Sequence, residues 1–152
     1  MKLNSLEDTF YLSQKIGKLL SKGDVIFLYG EIGVGKTTFV RGLINNLEVE
    51  KGIVKSQILS PTFNIVFDYE IKKLKIIHCD LFRLKNSTSI NELGIFAEIK
   101  DHITLIEWPE LIEKKPKNRI EMFFSYLDED LEKRNLKIKG YGKWGNYDFK
   151  KI

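Results

Sequence analysis

The sequence predicts a single α/β domain whose central sheet mixes parallel and antiparallel strands and is flanked by helices. Three observations support this prediction. A short apolar segment, a glycine-rich loop and a helical pattern follow one another over residues 25–47. The segments 63–69 and 74–80 read as strands, and their link is too short for a parallel crossover, so they must pair antiparallel. A further apolar strand over residues 102–107 and a C-terminal hairpin complete the pattern.

The chain begins with a predicted amphipathic helix. Ser5-Leu6-Glu7-Asp8 has the form of a capping box, in which the first and fourth residues satisfy free N–H groups of the first turn. Gly23 is expected to end the helix, because glycine is favoured just beyond helix C-termini. The apolar residues that give this helix a buried face are Leu6, Phe10, Ile16, Leu19 and Leu20.

A glycine-rich loop lies between a predicted strand and a predicted helix. Residues 25–29 are all apolar or aromatic, which predicts a buried strand, and a helical pattern later continues to about Leu47. Between them, residues 30–37 spell G-E-I-G-V-G-K-T and match the phosphate-binding P-loop pattern. Because strand, loop and helix are the context that this pattern requires, the sequence predicts a P-loop NTPase fold.

The P-loop residues indicate a nucleoside triphosphate ligand. A glycine-rich backbone can wrap closely around a polyphosphate, and the following helix N-terminus adds the positive end of its dipole. Lys36 is expected to reach the β- and γ-phosphates, and the Thr37 hydroxyl is expected to ligate Mg²⁺. The loop residues expected at the nucleotide are Gly30, Gly33, Val34, Gly35, Lys36, Thr37 and Thr38.

Two acidic residues end apolar strands that we expect beside the P-loop strand. Asp80 follows residues 76–79, and Glu107 follows residues 103–106. Ligands of open α/β sheets bind at the carboxyl ends of the strands, so both carboxylates are expected at the rim that carries the P-loop. One acid is expected to hold Mg²⁺ and the other to orient water or a switch loop, and the spacing leaves their order open.

Three other features are candidates for supporting roles. Ser60-Pro61-Thr62 is a candidate switch segment whose hydroxyl groups could sense the γ-phosphate. His78 shares a strand face with Asp80, so a hydrogen bond to that acid and a purely structural buried histidine are both open. Cys79 points to the opposite face and is expected in the core.

The second half of the chain completes the predicted domain. Ser89-Ile90-Asn91-Glu92 has the form of a capping box and predicts a helix to about residue 100. A hairpin is expected over residues 119–139, so that residues 1–139 form the P-loop ATPase domain. Residues 140–152 are expected to form an irregular tail. They contain a G-x-G-x-x-G match, which we reject as a dinucleotide fingerprint because no helical pattern follows it.

The composition excludes several classes of protein. The chain has 152 residues, of which 43% are hydrophobic and 30% charged, and no apolar run reaches the length of a membrane span. Cys79 is the only cysteine and the N-terminus lacks an apolar signal core, which together indicate a cytoplasmic protein without a disulfide. The net charge is +4, and the lysine clusters at residues 114–117 and near the C-terminus are interpreted as solvated charge in preference to a nucleic-acid patch.

Four motifs, in this order, resemble the TsaE (formerly YjeE) family, the P-loop ATPases of bacterial tRNA threonylcarbamoyladenosine synthesis. The motifs are G-E-I-G-V-G-K-T-T at residues 30–38, S-P-T at 60–62, H-C-D-L-F-R at 78–83 and E-W-P at 107–109. The P-loop alone is generic, whereas its combination with the other three at these spacings is specific. The resemblance covers residues 5 to about 139, and it departs at Phe82, where family members often carry tyrosine.

The resemblance implies a small mixed-sheet domain that hydrolyses ATP slowly with Mg²⁺. It also implies that the chain acts with the TsaD and TsaB proteins, which modify the adenosine just 3′ of the anticodon in tRNA, with direct contact to tRNA left open. Thr37 and Glu107 match the Mg²⁺ ligands of the family, and Asp80 matches an acid needed for hydrolysis. The residues matched to other positions near the nucleotide are Thr9 (beside the adenine), Trp108 and Arg134.

Two other functions would use the same loop. A small-molecule kinase needs an acceptor pocket and usually an arginine-rich lid, which the scattered charges of residues 111–135 do not indicate. A nucleotide-gated scaffold, in which ATP binding assembles a complex and hydrolysis is incidental, has the same sequence signature as the ATPase. Arg41 and Arg83 are candidates for an arginine that stabilises charge during hydrolysis, and a structural role is open for each.

Overall fold

A computed structural model describes residues 1–127 and 130–152 and contains a seven-stranded sheet with helices on both faces. The strands are β1 (Lys2–Leu3), β2 (Val25–Tyr29), β3 (Val66–Ile71), β4 (Leu74–Asp80), β5 (His102–Glu107), β6 (Arg119–Leu127) and β7 (Asp130–Tyr141). The α-helices are α1 (Leu6–Leu19), α2 (Lys36–Glu50) and α3 (Ser87–Glu92). Short 3₁₀ turns lie at Ile99–Asp101, Pro109–Leu111, Gly142–Trp144 and Phe149–Lys151.

The sheet has a parallel centre and antiparallel edges. Its strand order is β1-β7-β6-β2-β5-β4-β3, and the four central strands β6, β2, β5 and β4 run parallel. Antiparallel pairs join β3 to β4, β6 to β7 and β1 to β7. The predicted mixed sheet is therefore confirmed. Because β2, β4 and β5 end at the same rim, the loops that follow them are neighbours there.

Strand β2, which precedes the P-loop, lies between two hydrophobic cores, one on each face of the sheet. Ile26 and Leu28 pack into the core that contains α1 and α2, whereas Val25 and Phe27 pack into the core on the opposite face of the sheet. Burial on both faces explains why this strand has a continuous apolar run without alternation. Within the described ranges, no helix is both long and apolar enough to span a membrane.

The first helix has the predicted cap and a different end. The backbone N–H of Asp8 donates to the Ser5 hydroxyl at 3.2 Å, which is one half of the predicted capping box, while the Asp8 carboxylate accepts from the backbone N–H of Asn4, one residue before the N-cap. The helix ends at Leu19, and not at Gly23, because Leu20 already adopts an extended conformation. Gly23 lies in the turn before β2, with a φ of 90° that glycine accommodates.

The strand predicted over residues 63–69 begins later, at Val66. The N–H of Ile65 donates to the Pro61 carbonyl and closes a turn, and Ile65 has a φ of 66°, outside the strand region. Phe63 is consequently 80% exposed and does not join the core. The alternation of aromatic residues continues through the turn, which is why the sequence pattern overestimated the strand.

The predicted helix over residues 89–100 is much shorter in the structure. Its N-cap is Asn86, whose side-chain oxygen accepts from the N–H of Ser89, so the predicted capping box begins three residues too late. The α-helical part ends at Glu92, and Gly94 follows with a φ of 60°. The glycine favours a left-handed conformation that interrupts the helix, and the chain continues through turns to β5.

Residues 140–152 differ from the expected irregular tail. Strand β7 extends through Tyr141, and the indole N–H of Trp144 donates to the Asp24 carboxylate at 2.9 Å. Trp144 is 6% exposed and contacts the rings of Tyr147 and Phe149. This packing depends on a contact between residues 120 positions apart, which local sequence patterns do not encode.

The single cysteine is expected to be unreactive in the folded protein. Cys79 is fully buried, and burial raises the pKa of its thiol to about 12, so the reactive thiolate is scarce near neutral pH. We expect no reaction with Ellman's reagent at pH 8 until the protein is unfolded. A matched control is Val54→Cys, at a site that is 89% exposed and should react at once. Labelling of the native chain at the rate of this control would contradict the buried position of Cys79.

Candidate active site

The P-loop connects β2 to α2 and carries two glycines whose geometry is specific. Gly30 has a φ of 137°, and a Cβ there would lie 2.5 Å from the Phe124 carbonyl oxygen on β6. Gly35, with a φ of 114°, caps α2 without a side-chain hydrogen bond, and a Cβ there would have no neighbour within 4 Å in the described part of the chain. The first amides of α2 therefore have no side-chain cap, and the space beside Gly35 is open, as an anion site at a helix N-terminus requires.

The loop borders a cavity of about 220 Å³ at the carboxyl ends of the central strands. Most of the residues predicted for the site lie together in its wall. Those predicted to bind nucleotide or metal, or to act in catalysis, are Gly33, Gly35, Lys36, Thr37, Thr38, Asp80, Glu107 and Trp108. The remaining lining residues are Ile32, Ser60 and Thr62, of which the last two belong to the candidate switch segment.

Lys36 is held over the loop by three groups. Its Nζ donates to the carbonyl oxygens of Gly30 at 2.6 Å and Glu31 at 2.8 Å, and it lies 4.0 Å from the centre of the Trp108 ring. Burial lowers the pKa of Lys36 from its ordinary value, and the nearby Glu107 and Asp80 carboxylates oppose that shift. Lys36 as a whole is 4% exposed, and its ammonium lies where a phosphate can replace neutral carbonyl partners with charged oxygens.

Glu107 connects the P-loop to the neighbouring strand. The Thr37 hydroxyl lies 2.9 and 2.8 Å from its two carboxylate oxygens, and Nε2 of His78 lies 2.8 Å from Oε1. A carboxylate can only accept, so Nε2 of His78 is the donor in this contact. Its Nδ1 is buried and has no hydrogen-bond partner among the residues that the structure describes. Of the two interpretations left open for His78, the hydrogen bond to an acid is found, and the acid is Glu107 instead of Asp80.

Asp80 contacts the switch segment and not the P-loop threonine. Its Oδ2 accepts from the Thr62 hydroxyl at 2.8 Å, and its Oδ1 accepts from the N–H of Phe82 at 3.0 Å. Ser60 lies 2.8 Å from Thr62, hydroxyl to hydroxyl. Asp80 and Glu107 are direct partners in the register of β4 and β5, so the two carboxylates occupy one rim but face different elements.

Trp108 leaves the sheet in a left-handed conformation. Its φ and ψ are 57° and 56°, an unusual backbone for a residue with a bulky side chain. This turn follows Glu107 immediately and brings the indole over Lys36, with the Phe82 ring 4.8 Å away, centre to centre. The positive φ therefore aims an aromatic side chain into the cavity wall, at a position where the regular continuation of β5 would not place it.

Some predicted nucleotide contacts lie outside this cavity wall. Thr9 is buried on α1, where its hydroxyl lies 3.5 Å from the Ser5 carbonyl oxygen. Arg134 donates from Nε to the Val34 carbonyl at 2.8 Å and lies over the Tyr126 ring, so it braces the outer side of the P-loop. Val34 itself is 1% exposed and packs into the core.

The two arginines considered for charge stabilisation also do not line the cavity. Arg41 donates from Nε to the Ile58 carbonyl at 3.2 Å, and the guanidinium of Arg83 stacks on the Phe63 ring. Two exposed apolar residues near the site were not predicted. Ile32 lines the cavity and is 66% exposed, and Phe82 is 48% exposed. Ile32 occupies a variable position of the P-loop pattern, which gives no signal.

The donor chemistry of the site fits Mg²⁺. Thr37 and Glu107 offer hard oxygen atoms, and a threonine that donates its proton to Glu107 keeps its lone pairs for a cation. Among the described residues, no group of three or more acidic, histidine or cysteine side chains forms a complete metal cage. Mg²⁺ is usually held by one or two carboxylates together with water and substrate phosphates, so this sparse set is what such a site contains.

Known proteins of one family are similar to this chain over most of its length. The family model described as "Threonylcarbamoyl adenosine biosynthesis protein TsaE" matches residues 3–136. A Rickettsia bellii protein named tRNA threonylcarbamoyladenosine biosynthesis protein TsaE is 37% identical over 135 residues, which are 88% of this chain and 91% of the relative. An Aquifex aeolicus protein of the same name is 38% identical over 136 residues, covering 90% of this chain and 92% of that protein.

A solved structure has the same fold. The crystal structure of Bacillus subtilis YdiB matches with a TM-score of 0.74 at 24% identity, covering 95% of this chain and 86% of that one. At this identity the match supports the architecture alone. The family model and the sequence relatives carry the assignment further, because they extend over the P-loop, both acids and the switch segment. The chain therefore belongs to the TsaE family of threonylcarbamoyl adenosine biosynthesis proteins.

Proposed function

We propose that this chain is a Mg²⁺-dependent ATPase of low intrinsic activity that acts with TsaD and TsaB in forming threonylcarbamoyladenosine on cytoplasmic tRNA. The observation that carries the proposal is the contact of the Thr37 hydroxyl with both oxygens of Glu107, directly beside Lys36 and the first amides of α2. This arrangement joins a phosphate-binding loop to a carboxylate that can support a cation. The tRNA pathway is supported by the names of the relatives.

The chemical step is attack of water on the γ-phosphate, which releases ADP, phosphate and a proton. Lys36 and the loop amides stabilise the negative charge that develops on the phosphoryl oxygens. Mg²⁺, when bound, supplies further positive charge to the β- and γ-phosphate oxygens. Thr37 and Glu107 are the proposed residues for holding it, because their oxygen atoms are adjacent.

We assign Asp80 to the switch segment. Both of its oxygens accept hydrogen bonds, one of them from Thr62, so a movement of Thr62 toward a γ-phosphate would release one carboxylate oxygen. The released oxygen could then orient the attacking water. We therefore propose an order for the two acids, which their spacing left open: Glu107 supports the metal, and Asp80 couples the switch segment to hydrolysis.

The charges around the cavity support the proposal of a low intrinsic activity. Among the described residues, Lys36 is the cationic residue that lines the cavity, and neither Arg41 nor Arg83 does so. An additional positive charge at the transferred phosphoryl group raises phosphoryl-transfer rates by orders of magnitude in related chemistry. A partner that closes over the site can supply this charge or order the switch segment, which supports a role expressed through other proteins.

A phosphate-release assay tests the proposal. We expect slow release from ATP and Mg²⁺ by the chain alone and release at least about tenfold faster when TsaD and TsaB are added together. Adding the same partners to the Lys36→Ala variant provides the control, since any remaining release then comes from them. No stimulation, accompanied by phosphate transfer to a small acceptor, would favour a kinase. Stimulated tRNA modification without any ATP turnover would favour a nucleotide-gated scaffold.

A further inference from the structure

A second cavity, of about 310 Å³, lies at the opposite end of the central strands from the P-loop. It is bordered by Asp24, just before β2, and by the segment that precedes β6. We call it the basic cavity, because lysines from four separate segments of the chain line it. These lysines are Lys22, Lys100, Lys117 and Lys143.

Close backbone approaches hold these segments together. A Cβ on Gly23 would lie 3.9 Å from the Cα of Lys100, so Lys22 and Lys100 belong to segments in contact. A Cβ on Gly142 would lie 2.6 Å from the carbonyl oxygen of Lys117, which brings the segment of Lys143 against that of Lys117. The backbone of Lys143 also donates to the Asn118 side chain at 3.1 Å. The lysines are thus gathered by the fold and not by their order in the chain.

The acid in the wall of this cavity is already neutralised. The Asp24 carboxylate accepts from the Lys143 ammonium at 2.8 Å, from the Trp144 indole at 2.9 Å, and from the backbone and hydroxyl of Ser21. Lys143 therefore balances Asp24. The other three lysines are exposed, and none of them makes an ion pair within the part of the chain that the structure describes.

Three uncompensated positive charges around one cavity repel one another, and the repulsion is relieved when an anion enters. We propose that the basic cavity binds the sugar–phosphate backbone of RNA. A phosphodiester chain presents one negative charge per nucleotide, which suits several lysines rooted in different segments better than a single small anion does. The lysines are point charges without base-reading geometry, so the contact is to the backbone and independent of sequence.

RNA is favoured over other polyanions by the pathway of the family. The relatives are named for tRNA threonylcarbamoyladenosine biosynthesis, so tRNA is the polyanion that proteins of this family work on. The proposal revises the interpretation of the lysine cluster at residues 114–117 as solvated charge, because Lys117 faces the cavity with lysines that are distant in the sequence. It does not depend on ATP hydrolysis, since the P-loop lies at the other end of β2.

Fluorescence anisotropy with a labelled, unmodified tRNA transcript tests the proposal. In the triple variant Lys22→Gln/Lys100→Gln/Lys117→Gln, we expect the Kd for tRNA to rise by about tenfold or more at 50 mM salt. The slope of log K against log salt concentration should fall by about three, one for each lost phosphate contact. The matched control is Lys15→Gln/Lys51→Gln/Lys73→Gln, which removes the same charge from exposed lysines outside the cavity.

The control variant distinguishes binding at the basic cavity from a general effect of the protein's net charge. Equal weakening by both triple variants, or no tRNA binding by the unmodified protein, would overturn the proposal. Competition with inorganic phosphate distinguishes an RNA site from a small-anion site. If inorganic phosphate displaces labelled tRNA as effectively as unlabelled tRNA does, at equal concentrations of phosphate groups, the cavity is a small-anion site and the RNA assignment is overturned.

Two further measurements distinguish this proposal from the ATPase proposal. The cavity variant should bind a fluorescent ATP analogue as the unmodified protein does, which also shows that it is folded. Conversely, Lys36→Ala should retain its affinity for tRNA. If Lys36→Ala loses tRNA binding and the cavity variant keeps it, the RNA contact lies at the P-loop rim, and the proposal for the basic cavity is contradicted.

Discussion

Replacing Lys36 with alanine is expected to weaken the binding of a fluorescent ATP analogue by at least about 100-fold, the effect of losing a charge-assisted contact to phosphate in a shielded site. Lys36 is 4% exposed, and among the described residues it is the cation in the wall of the cavity. The remaining loop amides offer only partial charges to the β- and γ-phosphates. Titration of the labelled analogue in the presence of Mg²⁺ measures the change.

The control for this experiment is Lys15→Ala, which removes an exposed lysine on α1 away from the cavity. Because Lys36 also contacts the Gly30 and Glu31 carbonyls and the Trp108 ring, thermal unfolding of the variant should be measured alongside. A folded Lys36→Ala protein that binds the analogue with the affinity of the control would remove the phosphate site from the P-loop.

Replacing Glu107 with glutamine is expected to give the largest effect on Mg²⁺ dependence. Glutamine keeps the size of the side chain, and its carbonyl oxygen can still accept from His78, but its amide group cannot accept from Thr37. The loss of charge removes the strongest proposed cation ligand. We expect the Mg²⁺ concentration for half-maximal nucleotide binding to rise by at least about tenfold and hydrolysis to fall by about 100-fold.

A Mg²⁺ titration of nucleotide binding reads out the metal independently of turnover. Glu113→Gln is the matched control, because it removes an exposed carboxylate that does not line the cavity. If the Mg²⁺ titration of Glu107→Gln coincides with that of the control, the metal is held elsewhere. Asp80→Asn would then be the variant that shifts it. A shift in both variants of the acids would indicate that the two carboxylates share the cation.

Local chemistry explains which parts of the fold were predictable. The strand, loop and helix around residues 25–47 are a continuous piece of chain whose conformation depends on its own glycines and apolar spacing. The antiparallel pairing of β3 and β4 followed from the short link alone. Where a turn carries residues with strand or helix character, the boundary was wrong: Ile65 turns the chain before β3, and Gly94 interrupts the helix that begins at Ser87.

The candidate site divides in the same way. The P-loop lysine and threonine, and the position of both acids at one rim, follow from motif order and from the rule that parallel strands end together. The hydrogen-bond partners of those acids do not follow from the motif order or from this rule. A contact of His78 with Asp80, two residues away, was one of two open interpretations, and the structure places His78 against Glu107, 29 residues away on the adjacent strand. Register and side-chain direction across two strands decide this, and neither is visible in one strand.

The family, the P-loop motif and the two strand-end acids could be predicted from the order of residues, because each signal lies within a few consecutive positions whose backbone geometry is local. The contact of Thr62 with Asp80, the packing of Trp144 on Asp24 and the gathering of lysines around the basic cavity required the folded chain. These contacts join segments 18 to 120 residues apart. Their partners are selected by the packing of the whole sheet, and no local pattern specifies them.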